Sequence, residues 1–139
     1  MVNDETLSLI KSFEGCKLTA YRDAVGVPTI GYGHIKGVKM GQKITQAQAD
    51  QFLRDDLQWA ENDVDTIAPK PLTENQRGAL VSFTFNLGAG NLRKLLKNGL
   101  AGVLERIGLF NKARVNGVLK PLKGLTRRRE AERALFVKG

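Results

Sequence analysis

Two carboxylates and a hydroxyl stand out in the stretch SFEGCKLTAYRDAVGVPTIGYGH, Ser12 to His34. Glu14 falls at the end of an expected first helix. The helix dipole disfavours a carboxylate there, and neighbouring Phe13 removes water, so both favour the protonated acid. That is the form a general acid needs near neutral pH. Asp23 follows an expected strand in a turn, where it can stay ionised. Two carboxyls in unlike settings are the usual equipment for cleaving a glycosidic bond. One protonates the leaving oxygen, and the other attacks the sugar or activates a water. The Thr29 hydroxyl can help position that water. The spacing by itself also fits an ordinary helix end and turn, where Glu and Asp are common.

The other special residues of the segment read as scaffold. Tyr21 and Tyr32 suit strand packing. His34 is the only histidine in a chain with a single cysteine, Cys16, so neither a metal site nor a disulfide framework is expected. His34 is expected to pair with an acid of the following long helix, and Cys16 to be a small apolar packing residue. No dinucleotide fingerprint or phosphate loop is present, since GYG at 31–33 is too short to cradle a phosphate. No cofactor is expected.

These side chains need elements to hold them. Leu7, Ile10 and Phe13 recur at threes and predict a helix from Asp4 to Phe13, stopped by Gly15. Glycines 26, 31 and 33, Pro28 and a run of strand-favouring residues predict a small twisted antiparallel sheet from Leu18 to Ile35, extending toward Met40. Thr45 with Gln48 forms a capping-box signature. Ala49, Leu53, Leu57, Ala60, Val64 and Ile67 then trace one apolar stripe, predicting a helix over about 46–67 that bridges two lobes. Thr73 with Gln76 opens a second, more uniformly apolar helix, expected to be central and buried. Residues 91–125 suggest short helices and then a loop, NGVLKPLKG. The last helix, TRRREAERALF, is expected to be capped by Thr126 and to pack through Ala131, Ala134 and Leu135, with Glu130–Arg133 as its useful ion pair. The expected fold is α+β and mostly helical: one domain over 1–139, with a first lobe over about 12–58 and a second over about 68–139 on which the N-terminal helix packs.

The chain of 139 residues is 42% apolar and can bury a core. Its charge of +8 is unevenly spread, at −3 over residues 1–76 and +11 over 77–139. Such a split calls for a polyanionic partner, and DNA, RNA, an acidic membrane and an acidic cell wall all qualify on charge alone. Arg127, Arg128, Arg129 and Arg133 are candidates for contacts to an anionic wall, with solvated charges or inter-lobe salt bridges as the plain alternative. No long apolar run predicts stable membrane insertion, and MVNDETLSLIKSFEG lacks the pattern of an export signal.

The spacing EGxxLxAYxDxxGxxTIGYGH, Glu14 to His34, resembles the N-terminal motif of the phage-type lysozymes, glycoside hydrolase family 24. ITQAQADQFLRDDL, FNLGAGNL (Phe85–Leu92) and GLTRRREAERALF (Gly124–Phe136) are similar to further parts of that family. The resemblance implies that Glu14 is the proton donor, Asp23 the catalytic aspartate, Thr29 the residue beside the attacking water, and His34 structural, with Tyr21 near the site. It implies a muramidase cutting the β-1,4 bond between N-acetylmuramic acid and N-acetylglucosamine in peptidoglycan, with inversion. Inversion needs about 6.5–9.5 Å between the carboxyl groups. It further implies a protein that stays in the host cytoplasm until a holin admits it to the wall; a monomer is the default expectation.

Three features depart from that pattern. Residues after FNLGAGNL are contracted. Leu109 or Phe110 stands where relatives carry a tryptophan, and Pro28 where many carry an aromatic beside the cleft. The competing readings are a lytic transglycosylase, which would use Glu14 without water, and a non-enzymatic basic binder of wall or nucleic acid. The second gives no reason for paired carboxylates in one segment, and no nucleic-acid recognition pattern is present.

Overall fold

The computed structural model describes all residues, Met1–Gly139. The first helix, α1 (Asp4–Glu14), begins at Asn3, whose side chain accepts a hydrogen bond from Thr6 N, and ends at Gly15 with φ 68°. Strands β1 (Lys17–Arg22) and β2 (Pro28–Gly31) pair antiparallel, with Tyr21 opposite Thr29 and Arg22 opposite Pro28. Pro28 is thus the first residue of its strand, where a missing N–H forfeits no ladder bond. The sheet does not run on to Met40. Residues 42–44 lie along β1 instead, through Ala20 N to Gln42 O and Ile44 N to Leu18 O, each 2.9 Å.

Both capping boxes form, at Thr45/Gln48 and Thr73/Gln76. The helix expected over 46–67 is two, α2 (Gln46–Asp56) and α3 (Gln58–Ile67). At Leu57 ψ opens to −14°, although Leu57 N still reaches Leu53 O and Glu61 N reaches Leu57 O, each at 2.9 Å. The apolar stripe therefore crosses the break, and Leu53, Leu57, Ala60 and Val64 are all buried. The break adjoins Asp56, whose carboxylate is drawn aside by His34.

Helix α4 (Glu74–Leu87) is the axis of the core. It packs against α3, α1, α5 (Ala89–Leu95) and the C-terminal helix α7 (Lys123–Lys138). Leu80, Val81 and Phe83 are fully buried, as expected of a helix apolar on more than one face. Gly78 permits its close approach to α1: a Cβ there would lie 1.9 Å from Thr6 Oγ1. The segment after α5 turns through three short 3-10 stretches and α6 (Val103–Arg106). Phe110, rather than Leu109, fills the place expected of a large apolar ring. It meets Phe83 edge-on at 5.1 Å, while Leu109 is exposed.

Three expectations for the C-terminal region fail. Residues 112–121 form a hairpin, not a loop: β3 (Lys112–Val115) pairs antiparallel with β4 (Val118–Pro121). Its turn is Asn116-Gly117, with φ 52° and 80°. Positive φ at both central residues is the type I′ requirement that Asn-Gly meets most readily. Helix α7 starts at Lys123, ahead of Thr126, because Thr126 N already bonds Leu122 O helically at 2.9 Å. The Thr126 hydroxyl accepts from Asn111 Nδ2 instead and ties α7 to the segment before the hairpin. Leu135 is buried as expected, but Ala134 is exposed.

Candidate active site

Glu14 closes the last turn of α1 and opens into a cleft of about 320 Å³, bordered by Phe13, Asn86, Leu122 and Arg128. The water-excluding setting expected from Phe13 is modified by a charge. Arg128 Nη1 lies 3.4 Å from Glu14 Oε2, and its guanidinium also sits 5.8 Å from the centre of the Phe13 ring. One carboxylate oxygen is thereby oriented, while Oε1 has no protein hydrogen-bond partner.

Behind Arg128 lies a buried polar cluster. Glu132, with no solvent exposure, accepts from Ser82 Oγ at 2.6 Å, Arg129 Nε at 2.6 Å and Arg128 Nε at 3.4 Å. Arg129 also donates to Asn86 Oδ1 at 2.8 Å and to Phe110 O at 3.3 Å, and it lies over the Phe83 ring. Burial pushes the Glu132 carboxyl above its usual value, and Arg129, Ser82 and Arg128 pull it back. Burial likewise lowers Arg129, with Glu132 opposing.

This corrects the reading of the basic helix. Arg128 and Arg129 are only 4% and 1% exposed and are engaged by internal partners, Arg128 facing only the Glu14 cleft; Arg127 and Arg133 are exposed. The helix's ion pairs run through Glu132, to Arg128 at i,i+4 and Arg129 at i,i+3, and not through Glu130–Arg133. Glu132 was missed by sequence reasoning. Its signal was the spacing, since 128, 129 and 132 share a helix face with buried Leu135 and Phe136.

Asp23 is held quite differently. Its Oδ1 accepts from Val25 N at 3.0 Å and Val27 N at 2.8 Å, and its own N–H donates to Val27 O at 3.0 Å. The turn thus fixes the carboxylate with backbone amides alone, and Oδ2 has no protein partner. Thr29, 3% exposed, donates its hydroxyl to Val27 O at 2.9 Å. Asp23 and Thr29 are therefore tied to one residue, Val27, which sets their relative positions. Glu14 makes no direct hydrogen bond to either.

The remaining residues of the segment frame these groups. His34 Nδ1 lies 2.8 Å from Asp56 Oδ2, and the ring stacks on Phe52 at 4.2 Å. Tyr21 is half-buried beneath the ammonium of Lys17, and buried Tyr32 accepts from Gln46 Nε2 at 2.9 Å. Cys16 is not a packing residue. It is exposed, because it lies on the solvent side of the α1–β1 link, where its sulfur meets only Gln46 Oε1 at 4.0 Å.

Residues 11–132 match the phage lysozyme family. The chain belongs to that family. Membership makes it a lysozyme-type glycosidase that degrades peptidoglycan. An endolysin of Acyrthosiphon pisum secondary endosymbiont phage 1 is 40% identical over 141 residues, covering 97% of each chain. An endolysin of Salmonella phage P22 is 34% identical, over 98% of this chain and 97% of that one. Among solved structures, the muramidase domain of SpmX from Asticaccaulis excentricus superposes with a TM-score of 0.89 at 34% identity. It covers 99% of this chain and 97% of that one. The lysozyme-like, mostly helical α+β fold of the family is the fold observed. No helix is long and apolar enough to cross a membrane.

Proposed function

We propose that this lysozyme hydrolyses the β-1,4 bond between N-acetylmuramic acid and N-acetylglucosamine with inversion, using Glu14 as acid and Asp23 as base. The observation that carries the reading is the unequal mooring of the two carboxyls. Each has one oxygen fixed by the protein and one left open to a ligand: Oε1 of Glu14 beside its cleft and Oδ2 of Asp23 at its turn.

In this mechanism Glu14 Oε1 carries the proton and passes it to the glycosidic oxygen as the C1–O bond breaks. Arg128 holds the other oxygen and aims the carboxyl. A water attacks C1 from the opposite face, and Asp23 Oδ2 takes its proton. The Thr29 hydroxyl, whose hydrogen points to Val27 O, keeps its lone pairs for a hydrogen of that water. Water thus adds across the bond, and the two carboxyls return to their starting states by exchange with solvent. Asp23 stabilises charge at C1 through the same oxygen.

Peptidoglycan is the partner, and the enzyme acts as a monomer without stable membrane insertion or specific nucleic-acid binding. Holin-dependent release from the host cytoplasm completes the reading, and fractionation of cells expressing the chain with and without a holin tests it. The chemistry is tested by mass spectrometry of a peptidoglycan digest. Reducing muramic ends are expected, with the inverted anomer first by proton NMR. Anhydromuramic ends would instead assign a lytic transglycosylase, which needs no water at Asp23.

A further inference from the structure

Hairpin β3–β4 stands outside the core. None of its residues belongs to the buried apolar cluster, and every residue of β4 is exposed. In β3 only Ala113 is partly covered. A two-stranded ribbon is marginally stable in water by itself. This one is held at its root, where Leu122 N donates to Asn111 O at 2.9 Å and Asn111 Nδ2 donates to the Thr126 hydroxyl at 3.0 Å. At the far end Arg114 Nη1 donates to Gly117 O at 3.3 Å and braces the turn. The paired strands, Lys112–Val115 and Val118–Pro121, carry the tip about 14 Å from that root.

The tip is apolar. Val115 pairs with Val118 beside the turn, and Leu119 stands opposite Arg114. Val118 and Leu119 are 55% and 57% exposed. Behind the tip the charge is all of one sign. Lys112, Arg114, Lys120, Lys123 and Arg127 are exposed, and no carboxylate occurs between Glu105 and Glu130. A soluble polyanion accounts for the cations but gives no reason for bare valine and leucine side chains beyond them. A sugar ring accounts for neither, since residues 112–121 carry no aromatic ring and no carboxylate to grip one. An anionic bilayer accounts for both. Aliphatic side chains enter the boundary between headgroups and acyl chains, while lysine and arginine behind them stay with the phosphates.

We propose that the β3–β4 hairpin docks on an anionic phospholipid surface, dipping Val115, Val118 and Leu119 below the headgroups and setting Lys112, Arg114 and Lys120 on the phosphates. Shallow penetration keeps the peptide groups of Asn116-Gly117 among hydrated headgroups, as unpaired backbone requires. The contact is peripheral and reversible, and Glu14 and Asp23 take no part in it.

Sedimentation with lipid vesicles tests the surface. The wild type should bind vesicles of mixed phosphatidylcholine and phosphatidylglycerol and should not bind pure phosphatidylcholine. Lys112→Gln/Lys120→Gln should weaken that binding about 25-fold, at about fivefold for each cation removed. Val118→Ser/Leu119→Ser keeps every charge and should weaken it by at least about tenfold. Both double variants should be folded by circular dichroism and should digest purified, lipid-free peptidoglycan at the wild-type rate. Absence of wild-type binding to the phosphatidylglycerol vesicles overturns the proposal. So does undiminished binding by Val118→Ser/Leu119→Ser, which would mark a charge-only contact. Slow digestion of lipid-free peptidoglycan by the folded variants would assign the hairpin to the wall and overturn the proposal as well. None of these results touches the assignment of Glu14, which fails on a separate one, full product formation by Glu14→Gln.

Discussion

Glu14 and Asp23 are nine positions apart in sequence, yet they are held by opposite means. Glu14 depends on residues distant in the chain. Arg128, 114 positions away, meets it from α7 and is itself set by buried Glu132 and by Ser82 of α4. Asp23 depends on its immediate neighbours, through the N–H groups of Val25 and Val27. The first arrangement couples the proposed acid to the core of the helical lobe. The second is a local turn whose geometry survives changes elsewhere. Stability and activity should therefore move together on one side of the site and separately on the other.

The largest effect is expected in the buried cluster. Glu132→Ala leaves Arg129 enclosed without its counter-charge, a change that typically costs about 3–5 kcal/mol. Calorimetry should show a large fall in Tm, and lysis should fall with it because Arg128 loses one of its two anchors. At the turn the two properties should part. Asp23→Asn keeps an oxygen for the Val25 and Val27 amides, so Tm should stay close to wild type while kcat drops about a hundredfold. A matching loss of stability would show that the turn needs the charge. Thr29→Val should be mildest. It removes one hydrogen bond to Val27 O, worth about 1 kcal/mol, and the water-facing oxygen, for a drop in kcat of about tenfold. Unchanged kcat in that variant would take Thr29 out of the mechanism.

The same contrast governs what could be read from sequence. Local devices were legible. The two capping boxes and the stop at Gly15 are written in neighbouring residues and form as expected, while the sheet expected from Leu18 to Ile35 and toward Met40 forms over the shorter stretch 17–31. The buried cluster was not, because a run of three arginines on a helix reads as a solvated face. Only the positions of Leu135 and Phe136 on that face, with Glu132 between, mark two of the three as interior. The β3–β4 hairpin is a different kind of miss. Its Asn116-Gly117 turn, flanked by Val115 and Val118, is among the strongest local hairpin signals, and the expectation of a loop over NGVLKPLKG overlooks it. Pro121 is tolerated because it ends its strand at the open edge of a two-stranded ribbon. The break at Leu57 carried no sequence mark at all, since its apolar stripe is continuous.

The central claim, that Glu14 delivers the proton, is tested most directly by Glu14→Gln on purified peptidoglycan. The substitution keeps the shape of the side chain and an oxygen for Arg128 but removes the acidic proton. Release of reducing muramic ends, measured against wild type at equal concentrations of folded protein, should fall by about 10²- to 10⁴-fold. Release at the wild-type rate would contradict it.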